Sequence, residues 1–340
     1  MPNIRFILDN DAIDSATLSA GGSGAIDTEY PLDNIKRTSR SKPMRSVDAE
    51  SATTIDIKGW LEESQEVQAM VLARHNFSET INYQLFLYSD DNWATPVADY
   101  TPVEYTVTSS QAAISGLYEW GEFAWGTITW GADKPDLDNR NFYDIALWLD
   151  QPYTIKSFTI TISVLSGAVI NPFFCDEETI LCDGSVVGNP TFPIITCDMI
   201  SFVGSGGSGE SGMPYYEIGR VYLGPYIEPL YNLSPGHSIA WVENTTQYRP
   251  GSGTLRADKV TSNKSFGFSL ATIPESDRLV LHKQIVGKGL SDDFYISIFP
   301  EDASSSKEVD YSGMVKLTKM PKYTNYISGY YKSNFIMEEI

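Results

Sequence analysis

The sequence IKSFTITISV at positions 155–164 alternates strictly between apolar and polar side chains. Phe158, Ile160 and Ile162 fall on one face of an extended chain, and serine and threonine side chains fall on the other. Because successive side chains of a strand point to opposite faces, this pattern predicts one buried face and one exposed face. Such a pattern is typical of strands in antiparallel sheets.

Similar strand patterns occur on both sides of this stretch, with no helical period between them. They lie at positions 4–8, 54–57, 69–73, 83–88, 143–149 and 217–223. Several short strands without intervening helices predict an antiparallel β-sandwich. We therefore predict a β-sandwich over residues 1–235. It would contain an irregular excursion at about 165–215, where GSGGSG at 204–209 has the composition of a flexible loop.

The remaining residues, 236–340, contain the one clear helix signal between further strand patterns. TIPE at 272–275 has the form of a capping box, with Thr272 as the N-cap and a proline in the first turn. Leu281 and Ile285 are one helical turn apart and are predicted to face a core. The fold class predicted for the whole chain is thus mostly β: a sandwich followed by a small α+β domain with one helix.

Composition limits the function classes that suit this chain. Its 340 residues are 42% hydrophobic and 20% charged, so a packed core is expected, and the formal net charge is −20. A strongly acidic surface repels phosphate backbones and anionic lipid, which argues against nucleic-acid binding. No apolar run is long enough to span a bilayer, and the first residues lack the pattern of a signal peptide. We therefore expect neither membrane insertion nor secretion.

Neither the cysteines nor the acidic loops match a metal-binding pattern. Cys175, Cys182 and Cys197 are odd in number, and no histidine lies between them. Aspartates at 9–11 and 133–139 supply oxygen ligands, but neither loop has the spacing of an EF-hand, and both are typical of turns. The sequence therefore predicts no metal and no cofactor.

Catalytic motifs are also missing from the sequence. The three histidines, His75, His237 and His282, do not lie in any recognisable nucleophile, zinc or phosphate motif. His75 ends a predicted buried strand, where a hydrogen-bonded structural role is expected. We predict no catalytic residues and no enzyme activity.

An aromatic stretch around YEWGEFAWG at 118–126 supplies the best candidate for a binding site. Its candidate residues are Tyr118, Trp120, Trp125 and Trp130. Aromatic rings stack on the apolar faces of sugars, and nearby acids accept hydrogen bonds from hydroxyl groups. The same residue types are also preferred in cores and protein interfaces. Both a glycan platform and a protein interface therefore stay open for these four residues.

Several short motifs resemble galactose-binding-like (discoidin-like) jelly-roll domains of tailed-phage virion proteins. They are YPLDNI at 30–35, SKPMRS at 41–46, LARHNFS at 72–78, EIGRVYLG at 217–224 followed by Pro229, and FIMEEI at 335–340. Their order and spacing span most of the chain.

The resemblance implies a structural component of a phage tail tip or baseplate. Such a protein binds other tail proteins, is present in the virion in several copies and is assembled in the host cytoplasm. The alternative is an adhesin module that binds host-surface glycans through the aromatic stretch at 118–130. The resemblance implies nothing catalytic, and a fold alone does not establish sugar binding.

Overall fold

A computed structural model gives the fold of most of the chain. It describes residues 3–37, 42–47, 54–77, 81–107, 144–164, 216–243, 246–249, 256–258, 262–300 and 307–340. Within these residues, two antiparallel seven-stranded sheets and a two-stranded ribbon form most of the structure. The predicted fold class, mostly β with a sandwich followed by an α+β part, is confirmed.

The described residues contain sixteen strands, three short or medium α-helices and one 3-10 turn, joined by loops. The strands are β1 (Arg5–Ile7), β2 (Thr17–Gly22), β3 (Met44–Arg45), β4 (Thr54–His75), β5 (Ile81–Tyr88), β6 (Glu104–Thr106), β7 (Ile145–Val164), β8 (Glu217–Gly224), β9 (Ser238–Glu243), β10 (Thr246–Tyr248), β11 (Arg256–Asp258), β12 (Ser262–Pro274), β13 (Phe294–Ser297), β14 (Ser312–Leu317), β15 (Thr324–Ile327) and β16 (Tyr330–Glu339). The helices are α1 (Asp11–Asp14), a 3-10 turn (Leu32–Lys36), α2 (Glu275–Lys288) and α3 (Lys307–Asp310). No helix in these residues is long and apolar enough to cross a membrane.

The first sheet has the order β3-β8-β4-β7-β5-β6, with β2 beside β4. Its central strands β4 and β7 are 22 and 20 residues long, and their pairing shifts register between Trp60 and Gln65. Before the shift β4 lies beside β2, and after it β4 lies beside β8. The sheet thereby folds into two layers. Ile57 and Ile160 of one layer share a buried core with Met70 and Val221 of the other.

The alternating stretch at 155–164 forms the last half of β7, as predicted. Phe158, Ile160 and Ile162 are fully buried. The opposite face differs from the prediction of an exposed surface, because Ser157 and Thr159 are also buried. The loop after β5 covers them: the Ser157 hydroxyl donates to the carbonyl of Asp90 (2.6 Å), and the Trp93 indole donates to the carbonyl of Phe158 (3.1 Å).

The second sheet has the order β1-β13-β14-β16-β12-β9, with β15 beside β16. The first strand of the chain therefore pairs with β13 near the C-terminal end. β1 therefore lies in a different sheet from the other strands of the predicted 1–235 unit. The reason is that β1 has a buried apolar side chain on each face: Phe6 lies in the core of the second sheet, and Ile7 faces the first sheet. The boundary near residue 235 stays a prediction.

The chain passes from the second sheet to the first immediately after β1. The Asn10 side chain accepts a hydrogen bond from the amide of Leu223 (2.7 Å) and donates to the carbonyl of Val221 (3.0 Å). Gly224 permits this close approach, since a Cβ there would lie 2.4 Å from the carbonyl oxygen of Asp9. The segment after β1 is thus hydrogen-bonded along β8.

Helix α2 covers the face of the second sheet that points away from the sandwich. Leu281 and Ile285 are fully buried in a cluster with Phe268 and Phe294, so their predicted inward orientation is confirmed. The predicted cap at Thr272 is wrong. Pro274 occupies the N-cap position without a side-chain hydrogen bond, because pairing with β16 keeps β12 extended to that residue.

The two sheets contact each other through their remaining faces. An apolar cluster joins them, formed by Ile7, Ala69, Val71, Ala73, Tyr222, Tyr295 and Met314. We call this contact the joint between the two sheets. Its small side chains come from β4, and its large aromatic rings come from β8 and β13. Small and large residues can therefore interdigitate across it.

Candidate functional site

One end of the sandwich is where β4 ends and where β7 and β8 begin. Ser46, Phe77 and Tyr216 meet there: the amide of Tyr216 donates to the Ser46 hydroxyl (2.7 Å), and the Phe77 and Tyr216 rings form an edge-to-face pair at 6.1 Å. Phe77 is only four residues from Ile81, whose carbonyl accepts a hydrogen bond from the amide of Val107 (2.9 Å). Four residues span at most about 14 Å. We call this region the exit end of the sandwich.

The predicted aromatic residues are connected to the exit end. Tyr118, Trp120, Trp125 and Trp130 lie outside the described residues, within 108–143. The residues that flank this segment are described and well anchored. Val107 is buried in the sandwich core, and the Asp144 carboxylate accepts a hydrogen bond from the amide of Arg74 (3.1 Å). Both ends of the aromatic segment are therefore fixed to the same end of the sandwich.

Beneath the exit end, His75 has the surroundings of a structural histidine. Its side chain is fully buried, its Nδ1 accepts a hydrogen bond from the amide of Phe77 (3.1 Å), and its ring stacks on that of Phe77 at 4.7 Å. Burial lowers the pKa of His75 to about 3, because a buried imidazolium loses its hydration. The imidazole is therefore neutral at pH 7 and is turned towards the backbone rather than towards solvent.

A charged cluster ties three strands together at the same end. The Arg45 guanidinium pairs with the Glu217 carboxylate (3.0 Å) and lies 4.0 Å from the centre of the Tyr30 ring. The amide of Glu217 also donates to the Asn76 side chain (2.8 Å). These residues come from motifs far apart in the sequence, at 30–35, 41–46, 72–78 and 217–224. Four of the five motifs quoted above thus contribute residues to one connected structural cluster; the fifth, at 335–340, lies in the second sheet.

A second charged cluster lies at the joint between the sheets. The Arg220 guanidinium donates to both carboxylate oxygens of Asp14 (2.8 and 3.1 Å), and its Nε lies 3.4 Å from the Asp293 carboxylate. The Tyr222 hydroxyl donates to Asp293. Burial, together with the Asp293 charge, raises the pKa of Tyr222 well above its usual value, so this hydroxyl keeps its proton. The cluster links α1, β8 and the residue that precedes β13.

Asp144, which directly follows the aromatic segment, is a carboxyl group with a strongly shifted pKa. Burial raises its pKa to about 6, and the charge of Glu339 acts in the same direction. The hydrogen bond from the Arg74 amide and the charges of Lys264 and Arg74 oppose the shift. At pH 7 the Asp144 carboxyl is ionised, and this ionisation lowers the stability of the folded state. The sequence analysis predicted neither Asp144 nor the Arg220 cluster. An arginine within the apolar pattern of 217–223 does indicate a buried charge that needs an acidic partner.

Replacing Asp144 with asparagine is expected to stabilise the protein at pH 7 by about 1–3 kcal/mol. A carboxyl group with a raised folded-state pKa destabilises the fold above about pH 6, and this penalty disappears as the pH falls towards the unfolded value of 3.8. Asparagine keeps an oxygen for the Arg74 amide but carries no charge. Urea unfolding at several pH values between 4 and 8 measures the effect.

The gain should be largest above pH 6 and vanish near pH 4. Asp91, which is exposed after β5, provides the matched control, and its change to asparagine should leave the unfolding curves unchanged. Loss of stability in the Asp144→Asn variant at pH 7 would contradict the expected penalty.

No group of three or more metal-binding side chains is placed to hold an ion within the described ranges. The cysteines at 175, 182 and 197 lie outside these ranges. Their predicted lack of a metal therefore stays a prediction. At the exit end, Arg45, Glu217 and Asn76 are instead paired with each other, which suits a scaffold that holds other parts of the chain.

Comparisons with known proteins give weak structural similarities. No protein-family model and no curated protein matches the sequence. The chain is similar to chitosan-binding module 1 of a chitosanase/glucanase from Paenibacillus sp. IK-5, with 12% identity, a TM-score of 0.31, and coverage of 63% of this chain and 98% of the module. It is also similar to the family 32 CBM of C. perfringens NanJ, solved with galactose, with 9% identity, a TM-score of 0.29, and coverage of 66% and 99%.

A third similar structure is reduced XRCC1 bound to the DNA pol beta catalytic domain, with 12% identity, a TM-score of 0.31, and coverage of 66% of this chain and 99% of the other. These proteins differ in what they bind, and TM-scores of this size carry no inference about the ligand of the present chain.

Proposed function

We propose that this chain is a binding protein without catalytic activity, and that it contacts a glycan through the aromatic segment at 108–143. The observation that carries this proposal is the anchoring of both ends of that segment at the exit end of the sandwich. A binding site needs a rigid base that fixes the groups around it. The paired Arg45 and Glu217, together with the buried His75, provide such a base.

The chemistry of the segment suits a sugar ligand. The indole faces of Trp120, Trp125 and Trp130 offer apolar surfaces for pyranose rings, while Glu119 and Glu122 offer acceptors for hydroxyl groups. Neither contact requires proton transfer or a nucleophile.

Single replacements of Trp120, Trp125 and Trp130 by alanine test the proposal. We expect at least one of them to weaken glycan binding by about tenfold or more, which corresponds to about 1.4 kcal/mol. A glycan array identifies the ligand, and calorimetry measures the affinity. Trp241, exposed on β9 of the second sheet, is the matched control, and its replacement should leave affinity unchanged. Failure of the wild-type chain to bind any glycan would refute the proposal.

A second candidate function is a structural role in a phage tail tip or baseplate, with other tail proteins as partners. It is favoured by the cluster of Tyr30, Arg45, Asn76 and Glu217, since residues from separate motifs of the resemblance contact each other. Mass spectrometry of purified particles, followed by immunogold electron microscopy, tests this role. The chain should be found in the particle and labelled at the tail end. Its absence from particles would exclude the role.

A further inference from the structure

A basic segment near the C-terminus contrasts with the rest of this acidic chain. Residues 311–337 contain four lysines and no aspartate or glutamate, so the rest of the chain carries a formal charge of −24. Three of these lysines, Lys319, Lys322 and Lys332, are exposed. The segment itself is therefore positively charged, in contrast to the strongly negative chain as a whole.

Exposed aromatic side chains lie in the same segment. Tyr326 and Tyr330 are 45% and 36% exposed, and the pairing of Thr324 with Lys332 places the lysine next to the strand that carries Tyr326. Tyrosine is enriched at protein interfaces, because it supplies contact area at little cost in conformational entropy. We call Lys319, Lys322, Tyr326, Tyr330 and Lys332 the basic tyrosine surface.

The basic tyrosine surface lies away from the joint between the sheets. At its C-terminal end β16 is followed by Ile340, whose amide donates to the carbonyl of Met314, a residue of the joint (3.1 Å). Tyr330 begins the same ten-residue strand. Ten extended residues span about 30 Å, so Tyr326, Tyr330 and Lys332 lie at the far end of the sheet, while Lys319 lies nearer the middle of β16.

A group of exposed acidic side chains lies on the first sheet. Where β4 shifts register, Glu62, Glu63 and Glu66 are all exposed within five positions. The ammonium group of Lys156 contacts the backbone carbonyl of Glu62 and leaves the three carboxylates exposed. We call these three glutamates the acidic bend.

We infer that the basic tyrosine surface of one copy docks on the acidic bend of a second copy, in a head-to-tail contact. Two basic surfaces would repel each other, so a symmetric contact of this surface with itself is disfavoured. In a dimer held by two different surfaces, one basic tyrosine surface and one acidic bend remain unoccupied. Further copies can bind to them, so such a contact builds rings or filaments. This inference concerns the chain alone and does not depend on the glycan ligand.

Sedimentation equilibrium of the full chain tests the contact. The expected mass exceeds the 37.7 kDa of one chain as concentration rises, and it falls back towards that value in high salt, which screens exposed charges. A triple variant, Lys319→Glu with Lys322→Glu and Lys332→Glu, should stay monomeric. Lys42→Glu, an exposed lysine of the sandwich, is the control and should associate like the wild type.

A mixing experiment separates loss of contact from damage to the fold. The triple variant Glu62→Lys, Glu63→Lys and Glu66→Lys should also be monomeric by itself. Mixed with the lysine-to-glutamate variant, it should associate again, since one partner keeps the basic tyrosine surface and the other keeps the acidic bend. A wild-type chain that stays monomeric at every concentration, or a mixture that does not associate, would overturn the inference.

Discussion

Replacing Arg220 with alanine is expected to lower the free energy of unfolding by about 3–5 kcal/mol. The Arg220 side chain is 5% exposed and is shared by Asp14 and Asp293. Removing it leaves the Asp293 carboxylate, 10% exposed, without its cation. The Tyr222 hydroxyl, which donates to the same carboxylate, cannot compensate for a whole charge. Urea unfolding followed by circular dichroism gives the change.

Arg278 provides the matched control for this prediction. It also pairs with a carboxylate, that of Glu275, and lies 4.9 Å from the centre of the Tyr331 ring, but the pair is close to solvent. Solvent-exposed pairs contribute little to stability, so Arg278→Ala should shift the unfolding midpoint much less than Arg220→Ala. Equal shifts for the two variants would show that the buried cluster does not hold the two sheets together.

Sequence alone predicted strands at 4–8, 69–73, 155–164 and 217–223, but it did not show which sheet each strand joins. The alternation around Phe158, Ile160 and Ile162 was decisive, because burial on one side produces a period of two. Strand β1 lacks this period, since Phe6 and Ile7 are buried on opposite faces by different sheets. A strand that is apolar on both faces does not reveal which sheet it joins. Its pairing with β13 depends on contacts almost 300 residues away in the sequence.

Local signals failed where a distant segment changed the outcome. TIPE at 272–275 has the form of a capping box, yet pairing of β12 with β16 places Pro274 at the N-cap. Ser157 was expected to be exposed, yet the loop at Asp90 covers it. The prediction that Tyr118 to Trp130 bind a ligand rests on composition. The structure adds only the positions of Val107 and Asp144, the residues that flank this segment. Charge pairs such as Arg220 with Asp14 join residues 206 positions apart, which no local pattern encodes.

Leu281→Ala is expected to destabilise the second sheet by about 2–5 kcal/mol, because it leaves a cavity in a close-packed cluster. Leu281 is fully buried between α2 and the sheet, together with Phe268 and Phe294. Leu279, on the same helix but 53% exposed, is the matched control, and its replacement should cost about 0.5 kcal/mol or less. Thermal unfolding of both variants measures the difference.

The same variant tests how the two sheets depend on each other. The second sheet contains β1 and covers Val71 and Tyr222 at the joint, so its loss would expose apolar surface of the first sheet. We therefore expect Leu281→Ala to unfold in one transition, at a lower temperature than the wild type. Two separate transitions, with a protease-resistant fragment ending near residue 235, would instead support independent folding on either side of the predicted boundary. An unchanged midpoint would contradict the packing of α2 against the sheet.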